Sequence, residues 1–316
     1  MWNLSYTACS FVVKEKYKRE KRKNLNDEFV KNDEEETTLE NVLKVFAEYC
    51  HTHNNLQDKE EEKRLFRVNL IEEGSHEDVN YALIEIESGR YGYTSVITDK
   101  ITQKVAYNQK ETDAPLMKFY LTVIVPKDPT ENNKVYKGFM FFQNYGQYGV
   151  KTETVEELKR FFSEVFNLTL WVGNISPEIF VEKMMKSENI KKICFIKNSI
   201  SNDSADNLLF SYGREQRIIE RINFSGAFMG KIKGFLSGSN KVFEFENKDY
   251  DNVKVTINTD GRERTIGLNN IQNVSIIESL PNDLKNSEGL IDKKRLVNIV
   301  CEQMKDYMKR VVYCWQ

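Results

Sequence analysis

Residues 65–145 carry run after run of β-branched and aromatic residues parted by short turn signals. Two of those runs, MKFYLTVIVP at 117–126 and GFMFFQNY at 138–145, are apolar almost without a break. A strand with one face on water alternates apolar and polar residues, so a strand apolar throughout needs cover on both faces. These two segments are therefore expected at the centre of a sheet. LFRVNLIEE, YALIEIES and the Gly-bracketed GRYGY supply its further strands.

The segments on either side supply the rest. Residues 2–13 are apolar but broken by Asn3, Ser5, Thr7 and Ser10, and their charges follow the run, which fits a first strand better than a targeting signal. Residues 14–36 form a charged arm. A helix starting at Thr37-Thr38 follows from the spacing of Leu39, Val42, Leu43, Phe46 and Tyr49. Another, over 152–166, follows from Val155, Leu158, Phe161, Phe162 and Val165. LTLWVGNI, a helix start at Ser176-Pro177-Glu178 and KKICFIKN read as a β-α-β unit. A short helix at 228–236, a hairpin turning on Asp260-Gly261 and a closing helix over 291–313 complete the chain. The fold class is α+β, mixed β-sheets with flanking helices in two halves. Residues 1–149 form an N-terminal mixed-sheet domain with the charged arm, and 150–316 a C-terminal α/β domain with the closing helix.

Charge and cysteine usage narrow the function classes. Lys and Arg number 46 against 48 Asp and Glu, a formal net charge of −2, so no global field drives the chain onto a polyanion and any such contact is local. The five cysteines, Cys9, Cys50, Cys194, Cys301 and Cys314, are scattered and odd in number, which fits free thiols and a cytoplasmic address. No run approaches the roughly 18 to 20 apolar residues of a membrane span. No cofactor and no metal is expected. Cys50-His51-Thr52-His53 offers at most three zinc ligands pointing in different directions, and reads as a helix end.

The stretch richest in chemistry is FMFFQNYGQYGVKTETVEELK at 139–159, a strand running through two glycines and a lysine into a helix. Such a turn presents backbone N–H groups and a positive dipole end to an anion, so Gly146, Gly149, Lys151 and Thr152 are candidate phosphate-binding residues. The spacing is not that of a Walker A loop. The plainer alternative is a tight turn with Thr152 or Thr154 capping the helix. A second candidate is the basic run, with Lys14 and then Lys16, Lys18, Arg19, Lys21, Arg22 and Lys23, able to track nucleic acid or simply to be a solvated hairpin tip. Third, Glu85 and Glu87 share one face of a strand with Lys100 or Lys104 following, as in a metal-dependent nuclease, or else line a solvent face. Arg262 and Arg264 form a charged turn of the same two-sided kind.

Taken together, ALIEIESGRYGYTSVITD, FFQNYGQYGVKT, KKICFIKNSISNDSAD and NVKVTINTDGRERTI resemble poorly characterised bacterial proteins associated with anti-phage defence or abortive infection, over residues 65–300. The resemblance implies contact with phage nucleic acid or with a partner effector, and carries over no catalytic residue. The leading expectation is thus a cytosolic defence protein that binds nucleic acid or a phosphate-bearing ligand. The alternatives are a non-enzymatic interaction subunit, docking on a partner protein or on its own copies through an aromatic surface such as the closing helix with Trp315, and the nuclease.

Overall fold

The computed structural model describes residues 4–18, 21–32, 37–127, 134–146, 148–175, 190–197, 215–220, 243–245, 248–259, 262–267, 276–286 and 289–311. The first elements are β1 (Leu4–Glu15), β2 (Phe29–Val30), β3 (Thr38–Leu39), α1 (Val42–Thr52), β4 (Gln57–Lys59), β5 (Arg64–His76) and β6 (Val79–Arg90). There follow β7 (Ser95–Thr98), β8 (Val105–Gln109), β9 (Met117–Pro126), β10 (Gly138–Tyr145), α2 (Lys151–Phe166) and β11 (Leu168–Asn174). The remainder comprises β12 (Ile190–Lys197), β13 (Glu215–Glu220), β14 (Phe243–Phe245), β15 (Lys248–Tyr250), β16 (Asn252–Thr259), β17 (Arg262–Gly267), β18 (Ile276–Ser279) and α3 (Lys293–Val311). The result is a strand-dominated α+β protein.

The chain divides into two compact units, Met1–Gly173 with Ile277–Lys309, and Asn174–Ile276 with Arg310–Gln316. The first is built on an eight-stranded sheet of order β11-β1-β10-β9-β6-β5-β4, with β18 also beside β1. β9 and β10 are central and buried along nearly their whole length, as their unbroken apolar runs require. One face packs against α1 and α2. Phe162 stacks edge-on to Phe46 at 5.8 Å, and Phe161 to Tyr49 at 5.4 Å, in one core with Val68, Ile84, Leu121 and Phe142.

Several expected boundaries shift, each for a local reason. The first helix opens at Val42 rather than Thr37, because Asn41 Oδ1 accepts from the amides of Leu43 and Lys44 at 2.9 and 3.2 Å. Thr38 and Leu39 instead pair with β2. The division lies at 173/174 rather than 149/150, since the apolar stripe of α2 belongs to the same core as β1 and β9. Residues 277–309 return to the first unit: the Leu280 amide donates to Leu4 O at 2.9 Å, and Leu296, Val297, Val300, Cys301 and Met304 of α3 are buried.

In the second unit, β13-β12-β16-β17 form an antiparallel sheet. Its buried side chains include Ile193, Phe195, Tyr250, Val253 and Val255, with the Phe195 and Tyr250 rings 5.1 Å apart. Because β11 lies in the first sheet and β12 in this one, residues 168–197 do not make a β-α-β unit within a single sheet. The helices expected from Ser176 and over 228–236, the Asp260-Gly261 turn and Trp315 lie outside the described residues.

Candidate functional site

β10 runs out at Tyr145 into a closed turn, in which Tyr145 and Tyr148 each donate an amide to the other's carbonyl at 2.9 Å. Gly146 takes φ +60, a left-handed conformation that glycine adopts without strain, and a Cβ there would meet nothing within 4 Å. Gly149 serves a different end: a Cβ on it would stand 2.3 Å from Asn144 Oδ1. The backbone thus passes tightly under Asn144 and directly into α2.

The opening of α2 departs from the expected cap. Its N-cap is Val150, which has no acceptor, and neither Thr152 nor Thr154 caps it. Thr152 is exposed, while Thr154 is fully buried and its hydroxyl has no hydrogen-bond partner. Val150 therefore offers no side-chain acceptor at the cap, at the end where the helix dipole is positive. Lys151 is half-buried there and its cation acts on the buried thiol of Cys9, although burial dominates and pushes that thiol up to about 12. Two of the three acidic groups of the first two turns are engaged elsewhere, and the third, Glu156, is exposed. Glu153 pairs with Arg64, and Glu157 pairs with Arg160 and with Lys59 Nζ at 2.5 Å. Burial would raise the Glu157 carboxyl, but hydrogen bonds from Lys59 and Arg160 outweigh it and hold the group below its ordinary value.

The basic run lies elsewhere. β1 pairs antiparallel with β10, with Leu4 opposite Tyr145 and Phe11 opposite Gly138, so the turn sits at the start of β1 and the basic tip beyond its far end. From Leu4 to Lys14 a strand covers about 33 Å at about 3.3 Å per residue. The two groups of candidate residues are not brought together. At the tip Lys14 bridges to Arg22, and Glu15 Oε2 and Oε1 take Lys18 at 2.7 Å and Lys21 at 2.5 Å. Those two hydrogen bonds hold Glu15 at about 2. Lys16 and Lys23 lie over the rings of Tyr17 and Phe29 at 5.8 and 4.8 Å. Arg19 lies outside the described residues.

Glu85 and Glu87 do share a face of β6, as period-two alternation predicts, but it is not a solvent face, since their side chains are 8% and 7% exposed. Lys118 Nζ, across on β9, reaches Glu85 at 3.0 Å and Glu87 at 3.3 Å, Arg67 pairs with Glu87, and Tyr120 donates to Glu85 at 3.1 Å. Beside them a cleft of about 410 Å³ is bounded by Glu85, Lys118, Tyr120, Asp292, Lys293 and Lys294. Lys100 and Lys104 stand apart from these carboxylates, on the turn between β7 and β8. Among the described residues no group of three or more His, Cys, Asp or Glu is placed to hold a metal ion. His53 is the C-cap residue of α1, with Nδ1 2.9 Å from Tyr49 O, so the Cys-His cluster is a helix end. Arg262 and Arg264 lie on β17, opposite Thr259 and Ile257.

One surface was not apparent from the sequence. β7 and β8 form a two-stranded ribbon of their own, projecting between β6 and β9, with Val96 59%, Ile97 46% and Ile101 91% exposed. The signal was the weak alternation of TSVIT and KVAYN about the turn residue Asp99, too short to stand out beside the core strands.

No helix among the described residues is long and apolar enough to cross a membrane. Comparison with known proteins finds no matching family model, no matching curated protein and no matching solved structure.

Proposed function

We propose that this chain is a cytoplasmic bacterial defence protein that binds a phosphate-bearing ligand at the start of α2, through the backbone around Gly149, Lys151 and Thr152, with Gly146 shaping the approach. The observation that carries the reading is that a 16-residue helix opens on Val150, an N-cap residue whose side chain makes no cap hydrogen bond. The first amides of a helix need an acceptor, and an anion beside a lysine is the partner that dipole and charge together favour. Two of the nearby acidic groups that would repel it, Glu153 and Glu157, are paired with Arg64 and with Lys59 and Arg160, which leaves exposed Glu156 as the opposing charge.

Size separates a small ligand from a nucleic acid. A single phosphate or pyrophosphate group touches the α2 turn alone. A duplex that also reached the basic tip would have to bridge about 33 Å, roughly ten base pairs at about 3.4 Å each. With Lys18 and Lys21 committed to Glu15, the tip adds less charge than its sequence suggests, so the reading places the main contact at α2.

Thr152→Asp tests this with two readouts of opposite sign. An aspartate in the first turn complements the dipole and raises stability by about 0.3–1 kcal/mol. It also repels an incoming phosphate, so binding of pyrophosphate by calorimetry, and of a labelled oligonucleotide by anisotropy, is expected to drop. Undiminished binding of both probes by the stabilised variant refutes the site.

A further inference from the structure

Arg64 opens β5 and is only 7% exposed. Strand pairing sets it opposite Lys59 of β4 and Arg90 of β6. Directly opposed residues share a face, so three cations stand in a row on the side of the sheet that carries Phe66 and meets α2, and like charges so placed repel. Lys59 is relieved by Glu157 of α2 at 2.5 Å, and Arg90 is exposed to water. Arg64 has Glu153 of α2, which it meets through Nη1, and beyond that only Glu62, 3.9 Å from Nε. Neither Nη1 nor Nε makes a hydrogen bond in its buried place. A buried guanidinium so sparsely served cannot cheaply release its close carboxylate, because an uncompensated charge would be left inside the protein.

Glu153 is the third residue of α2, counted from the cap at Val150. A glutamate at that position ordinarily turns back toward the helix start and accepts from the amide of the cap residue. It is therefore the chain's own competitor for the place an anion would take. Arg64 draws it the other way, and the Glu153 side chain stays 20% exposed between helix and sheet.

We infer that Arg64 is the positioning residue of the α2 site: by holding Glu153 against β5 it keeps the start of the helix clear of the chain's own carboxylate. This role rests on the phosphate-binding reading of α2 and adds an internal competitor to it. Released from Arg64, Glu153 gains both the cap amide and the positive end of the helix dipole, and a phosphate group must then displace it. Arg64 acts through Glu153 and makes no contact with the ligand.

Calorimetric titration of the full chain with inorganic pyrophosphate tests this, with circular dichroism to follow the fold. Arg64→Gln frees Glu153 and is expected to bind about tenfold more weakly than the wild type. Arg64→Met, which fills the same space without a polar group, is the second form of that substitution should the first fail to fold. Glu153→Ala removes the competitor and is expected to bind at least as tightly as the wild type. The double variant Arg64→Gln/Glu153→Ala is expected to regain wild-type affinity, since Arg64 then has nothing to hold. Direct contact between Arg64 and the ligand, or a merely structural loss, would leave the double variant as weak as the single one. Wild-type affinity in Arg64→Gln, or a double variant that binds no better than Arg64→Gln, overturns the role of Arg64 and leaves the site standing. A wild type that binds no pyrophosphate removes the site itself and the role with it.

Discussion

Gly149 passes so close beneath Asn144 that a methyl group on it would stand 2.3 Å from the amide oxygen. Asn144 has no room to yield, being buried and donating from Nδ2 to Thr7 Oγ1 at 2.9 Å. Gly149→Ala is therefore expected to destabilise the fold by about 1–3 kcal/mol, the usual cost of forcing an atom into packed space. Urea unfolding measures it, and an unchanged midpoint would show that the turn is not the tight passage described.

The carboxylate pair on β6 makes a different prediction. Glu87 accepts from Arg67 and Lys118 within the sheet, so Glu87→Gln leaves two cations facing a neutral amide. The expected loss is about 1–3 kcal/mol, the range for hydrogen bonds to charged groups. Incubation with DNA or RNA and Mg²⁺ or Mn²⁺ distinguishes this structural role from the nuclease alternative. Metal-dependent cleavage that disappears in the same variant would establish the catalytic one.

Acid is expected to weaken the fold through Glu87 and Glu157. In each, burial favours the protonated form but hydrogen bonds from Arg67 and Lys118, or from Lys59 and Arg160, prevail and hold the carboxyl below its ordinary value. A group depressed in the folded state stabilises above the unfolded value, about 4.3 for glutamate, and that contribution is lost as pH falls through the folded value. Melting temperature should thus be level with respect to these groups above about pH 5 and fall below about pH 4.3. Glu157→Gln should flatten that fall, and an equally steep decline in the variant would remove the group from the account.

The sequence revealed single elements better than the pairings between them. The unbroken apolar runs of β9 and β10, the stripe of α2, the β16–β17 hairpin and the closing helix could all be read, because each is a local pattern. Register is not local. Glu85 and Glu87 were recognisable as one face, but Lys118 became their partner only through the pairing of Glu87 with Lys118 across β6 and β9. Likewise, nothing in residues 14–23 and 146–152 tells that they occupy opposite ends of β1. Val150 as the cap of α2 went unseen because two threonines nearby are better cap formers, and packing overrode that preference.

The central claim is that Lys151 and the start of α2 receive a phosphate group. Titrating inorganic pyrophosphate into the full chain and into Lys151→Ala tests it most directly, with circular dichroism to show that the fold is retained. The account predicts an affinity about tenfold weaker in the variant, the equivalent of about 1.4 kcal/mol for one charge-assisted contact. Equal affinity in the two proteins would contradict it.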